Sequence, residues 1–75
     1  MTRYRNLNGN SGIFAYESGS DRIVIQFNDG GTYLYSYSIP GSAHVERMKV
    51  LALNGSGLNS FISTSVRKRY AAKLR

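Results

Sequence analysis

Two alternating segments that flank one turn signal constrain the fold of this chain more than any other feature. Residues 22–27 and residues 32–37 alternate between apolar or aromatic and smaller or polar side chains, which is typical of half-buried strands. Between them, residues 28–31 read Asn-Asp-Gly-Gly, which favours a tight hairpin because these residues tolerate positive φ. Within the first segment, Ile23, Ile25 and Phe27 lie on one face of the strand. Within the second segment, Tyr33, Tyr35 and Tyr37 lie on one face of theirs.

The length of the hairpin loop decides where the three tyrosines point, and the sequence suits two lengths. If Phe27 pairs with Thr32, the tyrosines lie on the face opposite Ile25 and form an exposed platform that can stack bases. If the loop has three residues, Phe27 opposes Gly31 and Tyr33 faces the core beside Ile25. The second arrangement predicts tyrosines packed under helices or in a subunit interface.

The remaining elements follow from short local signals. Residues 1–11 are expected to form a loose lead-in, and residues 13–16 a further strand. Pro40 ends the sheet because it lacks an N–H group. Ser42 is expected to cap a helix that runs to about Leu53, and Gly55 suits the left-handed position that ends it. The apolar stripe of this helix, which we call the core stripe, is formed by Val45, Met48, Leu51 and Ala52.

A second helix is expected to start near Gly57–Asn59 and to continue through a basic end at residues 67–75. At 100° per residue, Arg69 and Lys73 fall inside its apolar arc, where burial without partners is costly. The last two turns are therefore expected to leave the core, as a basic tail or docked on another chain. The predicted fold is α+β, a three-stranded antiparallel β-meander followed by two α-helices, in a single domain of residues 1–75.

The positive charge is concentrated in the C-terminal part of the chain. Ten lysines and arginines against four acids give a net charge of +6. Residues 1–46 hold three arginines and four acids, a net charge of −1, whereas residues 47–75 hold seven cations and no acid, a net charge of +7. Clustered cations contact phosphates, although cations at a helix end also simply complement its dipole. The residues expected to bind a ligand are Tyr33, Tyr35, Tyr37, Arg67, Lys68, Arg69 and Lys73.

Gly55-Ser56-Gly57 is a candidate phosphate loop at the start of the second helix, since helix N-termini and glycines favour phosphate binding. The alternative is a helix C-cap followed by a tight interhelical turn. His44 is the single histidine and there is no cysteine, so no metal site and no catalytic set is predicted. No cofactor is expected, and the protein is predicted not to be an enzyme.

The ordered set of motifs resembles the KTSC domain, a small module at the C-terminus of some lysyl-tRNA synthetases and a stand-alone protein of bacteria and phages. The matching residues span 12–70 and are Gly12-Ile13-Phe14-Ala15-Tyr16, Ile23-x-Ile25-x-Phe27, Gly30-x-x-Tyr33-x-Tyr35, Ile39-Pro40, Ala52-x-x-Gly55-x-Gly57-x-Asn59-x-x-Ile62 and Tyr70. Ile39 stands where the family usually has valine, and Tyr37 extends the tyrosine pair. The resemblance implies a β-meander with helices and suggests RNA binding.

These observations predict a non-enzymatic module that binds RNA or another phosphate-bearing nucleotide ligand. Two alternatives remain open: a phage-type homo-oligomer that sequesters a small nucleotide signal between its subunits, and a protein–protein adaptor that uses the tyrosine face. Self-association would use the apolar residues outside the core stripe, Val50, Leu53 and Leu74. No apolar run approaches the roughly 20 residues of a membrane span and no signal peptide is evident, so a cytoplasmic protein is expected.

Overall fold

The computed structural model of the protein describes residues 1–7, 9 and 11–75, and its fold is α+β as predicted. In the part of the chain that the structure describes, five antiparallel strands form one sheet in chain order. They are β1 (Thr2–Arg3), β2 (Ile13–Ser18), β3 (Arg22–Phe27), β4 (Thr32–Ser36) and β5 (Ala72–Lys73). The predicted meander corresponds to β2, β3 and β4, and a two-residue strand lies along each of its edges.

Two helices follow β4 and are joined by a short glycine turn. Helix α1 spans Ser42–Asn54, and α2 spans Leu58–Phe61 and continues as a π-helical turn over Ile62–Val66. The expected cap at Ser42 is wrong, because Gly41 (φ 114°) occupies the N-cap position and Ser42 is already helical. The predicted end of α1 is confirmed, since Gly55 is left-handed (φ 76°) and its N–H bonds to the carbonyls of the last turn.

The core lies between the helices and one face of the sheet. Its buried side chains come from the sheet and the preceding segment (Tyr4, Ile13, Ile23, Ile25, Tyr35) and from the helical part (Val45, Met48, Ala52, Leu58, Ile62, Val66). The apolar stripe predicted for α1 is thus the face that packs against the strands, as its helical spacing requires.

The N-terminal residues are tied to the rest of the protein, which corrects the expectation of a loose lead-in. Residues 2–3 pair with β2, and Tyr4 is only 5% exposed. The Tyr4 hydroxyl accepts a hydrogen bond from Leu58 N–H (3.3 Å), and Leu7 N–H donates to the Gly55 carbonyl (2.8 Å). Asn8 and Asn10 belong to the same predicted lead-in and lie outside the described residues.

The second helix ends at Val66 and does not continue through residues 67–75, so the predicted basic helix end is wrong. After a turn the chain returns to the sheet, where Ala71 N–H donates to the Leu34 carbonyl and Leu74 N–H donates to the Thr32 carbonyl, both at 2.7 Å. A second helix that ran to the C-terminus would have buried Arg69 and Lys73, which fall inside its apolar arc. Pairing of residues 72–73 with β4 instead satisfies the backbone N–H and C=O groups at the edge of the sheet.

The β3–β4 hairpin adopts the three-residue loop. Phe27 N–H donates to the Gly31 carbonyl at 2.8 Å, and Ile25 pairs with Tyr33. Tyr33 and Tyr35 therefore point to the helix side of the sheet, beside Ile25, and do not form an exposed stacking platform.

Within the described residues, none of the helices has both the length and the apolar character needed to cross a membrane.

Candidate functional site: an aromatic cleft with two cations

An open cleft of about 690 Å³ lies between the β3–β4 hairpin and the chain that follows the π-helical turn. We call it the aromatic cleft. Its walls are the rings of Phe27, Tyr33, Tyr35 and Tyr70, its cations are Arg67 and Lys68, and Gly12, Asn28, Asp29 and Ile62 complete the lining. The hairpin loop length creates this cleft, because it turns Tyr33 toward the side on which the C-terminal segment passes.

The four aromatic rings form one connected cluster. Tyr33 lies between Phe27 (ring centroids 5.7 Å apart, 77° between planes) and Tyr70 (4.7 Å, 56°). Tyr70 also meets Tyr35 edge to face at 6.4 Å. Such edge-to-face and tilted pairs add stability beyond the burial of area. The cluster is thus a preformed wall, and its half-buried members Phe27, Tyr33 and Tyr70 leave ring surface for a ligand.

Tyr35 is the buried base of this wall and stays a neutral phenol. The side chain is 2% exposed. Burial, followed by the neighbouring phenols of Tyr33 and Tyr70, raises the pKa of Tyr35 from 10.0 to about 12. Tyr35 therefore supports the rings above it and presents little of its own surface to a ligand.

Arg67 reaches the cleft from a backbone conformation that normally belongs to glycine. Its φ of 56° and ψ of −122° match the first central residue of a type II′ turn. The turn is closed by a hydrogen bond from Arg69 N–H to the Val66 carbonyl (3.1 Å), and Arg67 N–H closes the π-helical turn onto Ile62 (2.5 Å). This double closure ends the helix and places Arg67 and Lys68 side by side at the cleft.

The structure brings four of the seven predicted ligand residues together: Tyr33, Tyr35, Arg67 and Lys68 line the aromatic cleft. Lys73 is next to it, on β5 opposite Tyr33, with its Nζ 5.8 Å from the Tyr33 ring centroid. Arg69 lies apart, where its Nη2 donates to the Ser65 carbonyl (3.0 Å) and sits 3.5 Å from His44 Nε2.

Tyr37 is also separate from the cleft, because it lies beyond the end of β4. It is 42% exposed, and its hydroxyl donates to Glu46 Oε2 at 2.5 Å. This bond raises the pKa of Tyr37, while hydrogen bonds from Lys49 (2.8 Å) and Tyr37 lower the pKa of the Glu46 carboxyl. The group is an exposed surface network of α1 and the β4 end.

The Gly55-Ser56-Gly57 turn has the geometry of a helix C-cap followed by a short connection. Gly55 N–H bonds to the last turn of α1, and Leu58 N–H donates to the Tyr4 hydroxyl. These two donors are thus engaged within the protein. The adjoining hollow measures about 70 Å³. Phosphate binding by Gly55, Ser56 and Gly57 stays a prediction with no contact in its favour.

Phe27, Asp29 and Tyr70 line the cleft but were not among the predicted ligand residues. Tyr70 could have been singled out, because it is an isolated tyrosine directly after the basic run. The prediction of a continuous second helix placed it instead on the apolar side of that helix, toward the core. Asp29 read only as a turn former, and it does fill that role: its Oδ1 accepts a hydrogen bond from Gly31 N–H at 2.8 Å. The described residues contain no group of three or more metal-binding side chains.

Comparison with known proteins adds no relative. No family model, no curated protein and no solved structure matches the chain. The resemblance to KTSC domains therefore stays a prediction, and the functional argument depends on the geometry of the aromatic cleft.

Proposed function

We propose that the aromatic cleft binds a phosphorylated nucleoside, either free or as one unit of single-stranded RNA, and that the protein is a non-enzymatic binding module. The observation that carries this proposal is the placement of three partly exposed rings and two cations in one cleft. Every nucleobase has a face that stacks on aromatic side chains. One guanidinium group can donate two parallel hydrogen bonds to two oxygens of a phosphate. Tyr33 and Tyr70 would contact the base, and Arg67 and Lys68 the phosphate.

The dimensions of the cleft favour one nucleotide unit over a long array of bases. Its volume of about 690 Å³ lies within the range usual for small-molecule sites. Val24 and Leu34 pair with each other on the face of the sheet opposite the helices. The neighbouring residues in each strand, including Tyr33 and Tyr35, point to the helix side, so this outer face carries no tyrosine of β4. A sheet surface that stacks several successive bases is therefore not the arrangement that this chain offers.

Asp29 supports binding rather than acid–base catalysis. It is the one carboxylate among the described residues that line the cleft, and its Oδ1 is already engaged by Gly31 N–H. Among the described residues, neither a second carboxylate nor the histidine lines the cleft beside Asp29 to form an acid–base pair. Its remaining acceptor capacity suits an amino group of a base or a ribose hydroxyl.

Calorimetric titration at low salt tests the proposal with AMP, adenosine, inorganic phosphate and a short oligoadenylate. AMP is expected to bind more tightly than adenosine or phosphate alone, because each of these fills only half of the site. Arg67→Ala should weaken AMP binding by about tenfold or more, since a charged hydrogen bond is worth about 1.5–3 kcal/mol. Arg47→Ala is the matched control, because Arg47 is an exposed cation on α1 that does not line the cleft.

The oligoadenylate distinguishes the two sources of the ligand. Equal affinity per site for AMP and for the oligomer indicates recognition of the nucleotide unit, whereas binding of the oligomer alone indicates recognition of the RNA chain. Binding should weaken as salt is added, because phosphate contacts release counterions. If neither AMP nor the oligomer binds at low salt, the proposed function is wrong.

Sequestration of a nucleotide between subunits is a second candidate, and exposed apolar side chains favour it. Val50 is 49%, Leu53 68% and Leu74 55% exposed. A chain of 75 residues gains stability by covering such surface with a second copy. Light scattering with and without AMP tests this candidate, and a monomer under both conditions would exclude it.

A further inference from the structure

A second hollow of about 360 Å³ adjoins the aromatic cleft. Asp29 and Tyr33 line both spaces, so the Tyr33 ring and the hairpin turn form the boundary between them. Gly30 and Gly31 contribute backbone to this second hollow, and Lys73 and Arg75 contribute cations. The proposed function uses only the first space and leaves this one without a role.

The second hollow is built by strand pairing and is not formed by a free tail. Thr32 N–H donates to the Arg75 carbonyl (3.1 Å), and Arg75 N–H donates to the Thr32 carbonyl (3.2 Å). Lys73 pairs with Tyr33 across the β4–β5 ladder, and its ammonium lies 5.8 Å from the Tyr33 ring centroid. The backbone that carries both cations is therefore held against β4, beside the ring at the boundary.

The two spaces are lined by cations, and the boundary between them carries a carboxylate. Arg67 and Lys68 line the aromatic cleft, Asp29 lies at the boundary, and Lys73 and Arg75 line the second hollow. Anionic groups are favoured at the two outer positions and disfavoured beside the carboxylate. The central position suits hydrogen-bond donors and a flat apolar surface, which a nucleoside supplies through its hydroxyl or amino groups and its base.

We infer that the second hollow binds a second phosphate, so that the ligand carries one phosphate on each side of the nucleoside at Tyr33, as a dinucleotide does. This inference rests on the proposed function, since the first phosphate is the one at Arg67 and Lys68. Two phosphates that flank a nucleoside lie farther apart than the two adjacent phosphates of a diphosphate. A nucleoside diphosphate therefore fills the first phosphate position without reaching Lys73.

The test compares AMP, ADP and pApA, a dinucleotide that carries a 5′-phosphate and one internal phosphodiester, by calorimetry on the full chain. We expect pApA to bind about tenfold or more tightly than AMP, which corresponds to about 1.4 kcal/mol, and ADP to gain less than pApA. Lys73→Ala should reduce the affinity for pApA toward that for AMP, by a larger factor than it changes the affinity for AMP itself. Arg67→Ala should weaken both ligands, and Arg47→Ala neither.

Arg75→Ala provides a second variant in case Lys73→Ala disturbs the β4–β5 pairing, which circular dichroism and thermal unfolding would reveal. If AMP binds but pApA binds no more tightly, or if Lys73→Ala and Arg75→Ala both leave pApA binding intact, the second phosphate site is wrong and the proposed function stands. An equal gain for ADP and pApA would also overturn the placement of the two phosphates on opposite sides of the nucleoside. If none of the three ligands binds, the proposed function fails and this inference with it.

Discussion

Replacing Arg67 with glycine should stabilise the protein and weaken ligand binding at the same time. Arg67 has a φ of 56° and a ψ of −122°, where a side chain is strained and glycine is not. A non-glycine residue in such a region costs about 1–3 kcal/mol, whereas glycine loses about 0.5–1 kcal/mol more backbone entropy on folding. The difference predicts a gain of about 1 kcal/mol in the free energy of unfolding for Arg67→Gly.

For a domain of this size, that gain corresponds to a rise in Tm of about 4–8 °C. Thermal unfolding followed by circular dichroism measures it, and AMP titration measures binding to the same sample. Arg67→Ala is the matched control, because alanine removes the guanidinium but keeps the strained φ. The alanine variant should therefore lose AMP affinity as the glycine variant does, without the rise in Tm.

Two results would refute this reasoning. An unchanged or lower Tm for Arg67→Gly would mean that the backbone at this turn is not strained by a side chain. A glycine variant that binds AMP as tightly as the parent would mean that the guanidinium takes no part in the site. The combination of a higher Tm with lost affinity would show that the arginine is held at a glycine position for its side chain.

Three further predictions concern other parts of the molecule. Gly55→Ala should lower Tm more than Gly30→Ala. Both positions have positive φ (76° and 93°), but only at Gly55 would the new Cβ meet a neighbour, the Cβ of Arg5 at 2.7 Å. Equal losses in Tm would contradict this steric argument. The stability component from Tyr35 is present below pH 10 and is lost as pH rises toward its folded pKa of about 12. The urea midpoint of the parent should therefore fall relative to that of Tyr35→Phe over this range, and a constant difference would contradict the argument. Tyr37→Phe should leave AMP affinity unchanged, because Tyr37 lies outside the cleft, and a calorimetric loss would show that the site extends beyond it.

The central part of the fold was predictable because its signals are local. Alternation on both sides of Asn-Asp-Gly-Gly marks the β3–β4 hairpin, and Asn54-Gly55 marks the end of α1. The loop length was not predictable, since an even loop of two or four residues and a three-residue loop both accept these residues and differ by one step of register. That single step decided whether Tyr33 formed an exposed platform or a wall of the cleft.

The C-terminal segment escaped prediction because its structure depends on distant partners. Residues 67–75 have no strand pattern of their own, and β5 exists through hydrogen bonds to β4. The turn that stops the helix has arginine where a glycine signal would have been readable. The clustering of cations was evident from the sequence, but the grouping of Arg67 and Lys68 with Tyr33, and of Lys73 with the second hollow, required the chain to turn back.

The most direct test of the account is an NMR titration of the ¹⁵N-labelled protein with AMP. Binding in the aromatic cleft should change the amide chemical shifts of residues 28–33 in the hairpin and residues 67–70 in the turn, which are far apart in sequence and meet at the cleft. Shifts that concentrate instead at residues 54–60, or the absence of any shift at millimolar AMP, would contradict the assignment of this cleft as the nucleotide site.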